Sequence, residues 1–142
     1  MAYSHFTDLR IFQLAENLAD EIWKIVLKWN SFEKEVLGKQ LTRSADSIGA
    51  NIAEGNGRGT LIDKKRFIII ARGSLYETKF FLRRTVKRDL ISEENIKTLK
   101  NIIDELSPKL NAYLNSLKNR IKSTPTPNNQ LPTPNNQLPN NK

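Results

Sequence analysis

Lys65, Arg72, Lys79 and Arg83 are spaced seven, seven and four residues apart. On a helix that spacing aligns the four charged heads into a ladder about two dozen ångströms long. The chemistry such a ladder suits is phosphate binding, because each contact with a polynucleotide backbone releases a condensed counterion. Lys87 lies close by, and Arg58 stands just upstream. Residues 58–88 hold ten basic and two acidic side chains, a charge of +8 that equals the net charge of the whole 142-residue chain. Residues 1–57 carry −2 and residues 89–142 carry +2. The expectation is a nucleic-acid surface made of Arg58, Lys65, Arg72, Lys79, Arg83 and Lys87. An ordinary solvated face and a docking site for an acidic protein remain as alternatives.

A second stretch invites a catalytic reading. "SIGANIAEGNGRG", residues 47–59, ends in three glycines within five residues. A phosphate-cradling loop needs a strand before it and a specific glycine spacing. Here a helical pattern precedes it and no Gly-Lys-Ser/Thr follows. Gly55 instead fits the position just past a helix end, where a left-handed residue closes the last carbonyls. Free amides near Thr60, beside Arg58, leave room for incidental anion binding. The only histidine is His5 and there is no cysteine, so neither a transition-metal centre nor a base-activated nucleophile is expected. Glu54 and Glu77 could meet in the fold, but two carboxylates alone are weak evidence for acid–base chemistry. The expectation is a protein that is not an enzyme and carries no cofactor or metal.

The elements that must position these residues read as helices. Ile11, Ala15, Leu18, Ile22, Ile25 and Trp29 form one apolar stripe over roughly residues 8–29, with Thr7 or Asp8 as the cap. Leu37, Leu41, Ala45, Ile48 and Ile52 form the next over roughly 33–54, with Gly49 inside it as a weak point or a place of close approach. A third helix opens at Thr60, with Asp63 three residues on, and runs to about Leu90. A fourth starts at Ser92, with Glu93 and Glu94 in its first turn. Ile96, Leu99, Ile103, Leu106, Leu110, Tyr113 and Leu117 make its stripe, and Pro108 is expected to kink it near Asp104. Four amphipathic helices with short connections predict an all-α, antiparallel up-down-up-down four-helix bundle over residues 1–122.

The third helix carries three groups of residues. Phe67, Ile70, Ala71, Ser74, Leu75, Thr78, Phe81 and Leu82 make its core face, and the cation ladder is expected on the opposite side. Ile69, Gly73, Tyr76 and Phe80, spaced four, three and four, belong to neither group. An aligned apolar set with a glycine at its centre suits packing on another copy; the alternative is a wide core face with exposed aromatics.

Residues 123–142 contain "PTPNNQL" twice, followed by "PNNK". Their composition cannot offset the entropy of ordering them, so a disordered tail is expected. No apolar run is long enough to span a bilayer and no signal segment opens the chain. A cytoplasmic protein with no membrane partner is the expectation.

"SIGANIAEGNGR" and "KKRFIIIARGSLYET", with "LRIFQLAENLADEIW" before them, resemble the small bacterial four-helix-bundle proteins named for open reading frames in intervening sequences of large-subunit ribosomal RNA. The resemblance covers roughly residues 7–118. Accessory proteins of diversity-generating retroelements look like more distant relatives. The resemblance implies a ring, typically a homopentamer, with no catalysis. In the retroelement relatives it implies a basic surface for nucleic acid and a reverse transcriptase partner. It carries over Asn51, Glu54, Gly55 and Arg58 from one signature and Arg72, Gly73, Ser74 and Glu77 from the other. Glu54 or Glu77 is expected to pair with Arg58 or Arg72 at the bundle end. Gly49, where relatives commonly have proline, and the repetitive tail depart from the pattern.

Overall fold

The computed structural model describes residues 5–124. Four long helices and no strand occur among them: α1 (Arg10–Leu27), α2 (Lys39–Asn56), α3 (Leu61–Lys87) and α4 (Glu93–Ser123). Helix α4 therefore runs one residue into the segment read as tail, and the remainder of that segment, from residue 125 on, lies outside the described residues. Helix α1 packs on α2 and α4, and α3 packs on α2 and α4, so the core lies between all four. Leu18, Ile22, Ile48, Ile52, Leu75, Leu106 and Leu110 are almost completely enclosed there.

Helix starts follow local capping chemistry. Thr60 Oγ1 accepts the Asp63 N–H at 3.1 Å, and Ser92 Oγ accepts the Asn95 N–H at 3.1 Å, as the sequence predicts. The start of α1 differs. Phe6–Asp8 forms a 3-10 turn and Leu9, which has no side chain able to cap, occupies the cap position. Phe6 lies edge-on to Phe12, with ring centroids 4.8 Å apart, and the turn is closed by the Asp8 N–H on the His5 carbonyl at 3.0 Å. The approach to α2 begins at Asn30, whose Oδ1 accepts the Glu33 N–H. One helical turn, Ser31–Glu33, then widens into a π-type stretch, Lys34–Gly38, that continues directly into α2.

Gly55 is not a left-handed cap. It sits inside α2, buried, and no glycine among the described residues has a positive φ. A Cβ added at Gly55 would lie 3.0 Å from Phe67 Cβ, so its lack of a side chain serves close approach to α3. The left-handed residue is Asp89, φ 58°, at the end of α3. There the Leu90 N–H reaches the Thr85 carbonyl at 3.0 Å, a six-to-one closure of the Schellman kind. Helix α3 consequently stops at Lys87 rather than near Leu90.

Burial follows the predicted stripes with local shifts. All five positions of the second stripe, Leu37 in the π-type stretch and the other four in α2, are buried. On α3, Ile70 is 41% exposed and Ile68 is buried instead, because the buried arc centres between Ala71 and Leu75. On α4, Ile102 and Leu114 are buried while Ile96, Ile103 and Tyr113 are only half-buried. That helix faces two neighbours and buries a wider arc than one seam. Pro108 lies within α4 without ending it. Trp29 donates its Nε1–H to the Leu90 carbonyl at 2.9 Å, tying the α1 end to the α3–α4 connection.

Candidate nucleic-acid interface

The cation ladder lies on the flank of α3 that faces α4, not across from the core. Lys65, Arg72 and Lys79 are half-buried; Arg83 and Lys87 are exposed. Arg72 Nη1 donates to Asn111 Oδ1 of α4 at 3.3 Å. Lys79, Arg83 and Lys87 line one wall of an apolar groove whose other wall is α4. The physical reason is angular: at 100° per residue the ladder positions fall between the buried arc and the outward arc. The outward arc belongs to the other group. Ile69 is 40% exposed, Tyr76 and Phe80 are each 56% exposed, and a Cβ on Gly73 would meet nothing within 4 Å.

Among the described residues the ladder cations carry no ion pair, and what distinguishes them from other unpaired cations is their alignment along one flank of α3. Some cations elsewhere find carboxylates there, Arg10 with Glu105, Lys24 with Glu21, Lys39 with Glu35 and Lys100 with Asp104, while others such as Lys28, Lys34, Arg43 and Lys97 do not. Among the described residues no carboxylate lies within 4.0 Å of Lys65, Arg72, Lys79, Arg83 or Lys87. Helix α3 has two acids of its own. Asp63 serves Arg66 at 3.5 Å, and Glu77 is exposed with no ion-pair partner among the described residues. The ladder's field therefore reaches solvent unopposed by carboxylates, with Arg72 meeting the neutral Asn111 and Lys79 lying 5.4 Å from the Tyr76 ring centroid.

Arg58 is a different kind of residue. Its Nη2 bonds Glu54 Oε2 at 2.6 Å, and its guanidinium lies 4.6 Å from the centroid of Phe67. Arg66 lies 4.7 Å from the same ring. The Glu54–Arg58 pairing expected at the bundle end is present; Arg72 instead bonds Asn111. Arg58 thus anchors the α2–α3 turn, with its charge already engaged.

Ser74, with Ser44, Ser47 and Thr78, links α2 to α3, and Asn51 bonds within α2. Ser74 Oγ lies 2.9 Å from Ser47 Oγ, and Asn51 Nδ2 donates to the Ser47 carbonyl at 2.8 Å. Thr78 Oγ1 lies 3.0 Å from Ser44 Oγ and 2.8 Å from the Ser74 carbonyl. These short polar side chains satisfy one another inside a tight helix contact. Ser44 and Ser47 were not expected there; their signal is a pair of hydroxyls three residues apart, beside the α2 stripe. The same register separates Glu54 from Glu77. Gly55 lies against Phe67 and Ser44 against Thr78, so the two carboxylates sit about 15 Å apart along the helices and do not meet.

Three further features fall outside the predicted set. Asn111 and Lys100 of α4 border the ladder. Trp23 and Leu27 are exposed beside Gly38, and Phe32 and Val36 are exposed at a separate place beside Arg88 and Leu90. The signal for the first pair is the four-residue spacing of Trp23 and Leu27, one step off the buried stripe of α1. Among the described residues, no cluster of three or more potential metal ligands occurs and no helix is long and apolar enough to cross a membrane.

A search of the curated proteins finds no match to the chain. Residues 7–112 match the family described as 23S rRNA-intervening sequence protein, a stretch that takes in α1, α2, α3, the ladder and Asn111. The chain belongs to the 23S rRNA-intervening sequence protein family.

Proposed function

We propose that this protein is a non-enzymatic, self-associating, cytoplasmic bundle whose four helices run antiparallel in up-down order. It binds RNA or DNA through the phosphate backbone, along the α3 ladder. The observation that carries the reading is the line of Lys65, Arg72, Lys79, Arg83 and Lys87 with no carboxylate within ion-pair distance. A family described by an intervening sequence of 23S rRNA fits an RNA-associated role. Phosphate contacts of this kind position a polynucleotide without reading its bases, so sequence preference is weak. The outward stripe of Ile69, Gly73, Tyr76 and Phe80 supports self-association, and an assembly multiplies the ladder and raises avidity.

Lys65, Arg72, Lys79 and Arg83 changed together to Glu remove binding while leaving the helical circular dichroism signal intact. For the unaltered protein, the logarithm of affinity falls with the logarithm of salt with a slope of about −3 to −4, as four or five phosphate contacts require. Binding that ignores salt, or survives the quadruple change, overturns the reading.

A further inference from the structure

The lower part of the ladder borders something a phosphate backbone does not use. Between α3 and α4 lies an open groove of about 340 Å³. Its floor is apolar: Leu82 and Val86 come from α3, Ile96, Leu99 and Ile103 from α4, and Ile91 closes the end. Val86 is 43% exposed, and Leu82, Ile96 and Ile103 are half-buried, so the floor meets solvent. No aromatic side chain lines it, which removes the stacking platform that nucleobases need. The walls are charged. Lys79, Arg83 and Lys87 stand on the α3 side without carboxylate partners, while Lys100 on the α4 side is paired with Asp104 at 2.8 Å.

We propose that this groove docks an amphipathic helix of a partner protein, with an apolar stripe against the floor and a row of carboxylates against the α3 wall. Two features select that occupant. The trough lies between two packed helix axes and presents side chains at steps of three and four, which a third helix matches ridge to groove. The uncompensated charge is on one wall only, so the complementary acids belong on one edge of the docking helix. The wall from Lys79 to Lys87 extends about 12 Å, enough for two turns of that helix. The proposal goes beyond nucleic-acid binding: it shares Lys79, Arg83 and Lys87 with the ladder, but its apolar floor is its own, so variants of the floor test it separately.

The probe is a stapled helical peptide of about 14 residues, long enough to cover both turns. It carries leucines spaced three and four apart with glutamates along one edge. Fluorescence anisotropy is expected to show saturable binding. Binding weakens by at least roughly tenfold when the glutamates become glutamines, because desolvated charge pairs are lost. The exposed position gives the protein-side test. Val86→Glu places a carboxylate in the groove and abolishes peptide binding, while nucleic-acid affinity falls by no more than about threefold. Val86→Ser with Ile96→Ser removes floor contacts without new charge and weakens the peptide by a similar factor. Equal binding of the glutamine peptide, or unchanged binding to both variants, overturns the proposal. So does a peptide that fails to bind while the groove variants lower the protein's own oligomeric mass, which assigns the groove to a second copy. Loss of RNA affinity in the Ser variant without any peptide binding assigns it to nucleic acid and equally overturns the docking helix.

Discussion

Arg10 and Glu105 meet in a fork between α1 and α4, Nε to Oε2 at 2.9 Å and Nη2 to Oε1 at 2.8 Å. The Arg10 hydrogen bonds hold the Glu105 carboxyl below its ordinary range, with a smaller contribution from Lys109. Asp46 goes the other way: burial raises it, and the neighbouring Asp20 adds to the rise. The two groups have opposite consequences for stability. A depressed carboxyl stabilises the fold fully above its unfolded pKa, about 4.3 for Glu, and ceases to do so as pH falls through the folded value. Urea denaturation of Glu105→Gln beside the unaltered protein is therefore expected to show a constant deficit at neutral pH that closes below about pH 4. A deficit that persists in acid refutes the pairing as its source. None of this fork is legible from spacing, because its partners are 95 residues apart.

At the scale of the element, glycine positions separate packing from propensity. Gly38 faces Val26, where an added Cβ would lie 2.8 Å from Cγ1 of a buried, β-branched side chain. Gly38→Ala gains about 1 kcal/mol of helix propensity and loses about 1–3 kcal/mol to overpacking, a net destabilisation on the order of 1 kcal/mol. Gly73, in the middle of α3, faces open space. In the unassociated chain, at dilution, Gly73→Ala raises stability by about 0.5–1 kcal/mol, measured by urea or thermal unfolding. At concentrations where copies associate, the proposed contact on that face reverses the sign, and a gain that is independent of concentration removes Gly73 from the contact. The stripes of α1 and α2 were readable from periodicity, as were the caps at Thr60 and Ser92. The end of α2 was not. A glycine after an apolar run looks the same whether it turns the chain or admits Phe67, and only the neighbouring helix distinguishes the two.

For the whole molecule, the decisive geometry is the order of three arcs around α3: buried, cationic, then outward and apolar. Phe80 lies on the last, beside Tyr76 and with the Arg84 guanidinium 6.0 Å from its ring centroid. Phe80→Asp is expected to reduce the mass measured by light scattering to that of one chain, because burying a carboxylate in an apolar contact costs desolvation that a pair with Arg84 does not repay. An unchanged mass removes this stripe from any interface. The sequence by itself determined that the chain is helical, where its apolar stripes fall, that its charge concentrates between residues 58 and 88, and which family signatures it carries. These are properties of local periodicity and composition, which need no neighbour to define them. Only the tertiary structure decided that the ladder flanks α4 instead of opposing the core, that Arg58 is engaged by Glu54 and Phe67, and that an apolar groove opens beside Lys79, Arg83 and Lys87. Each depends on which helix packs against which face. That choice is made by summed burial across distant segments, a quantity no single stretch of residues contains.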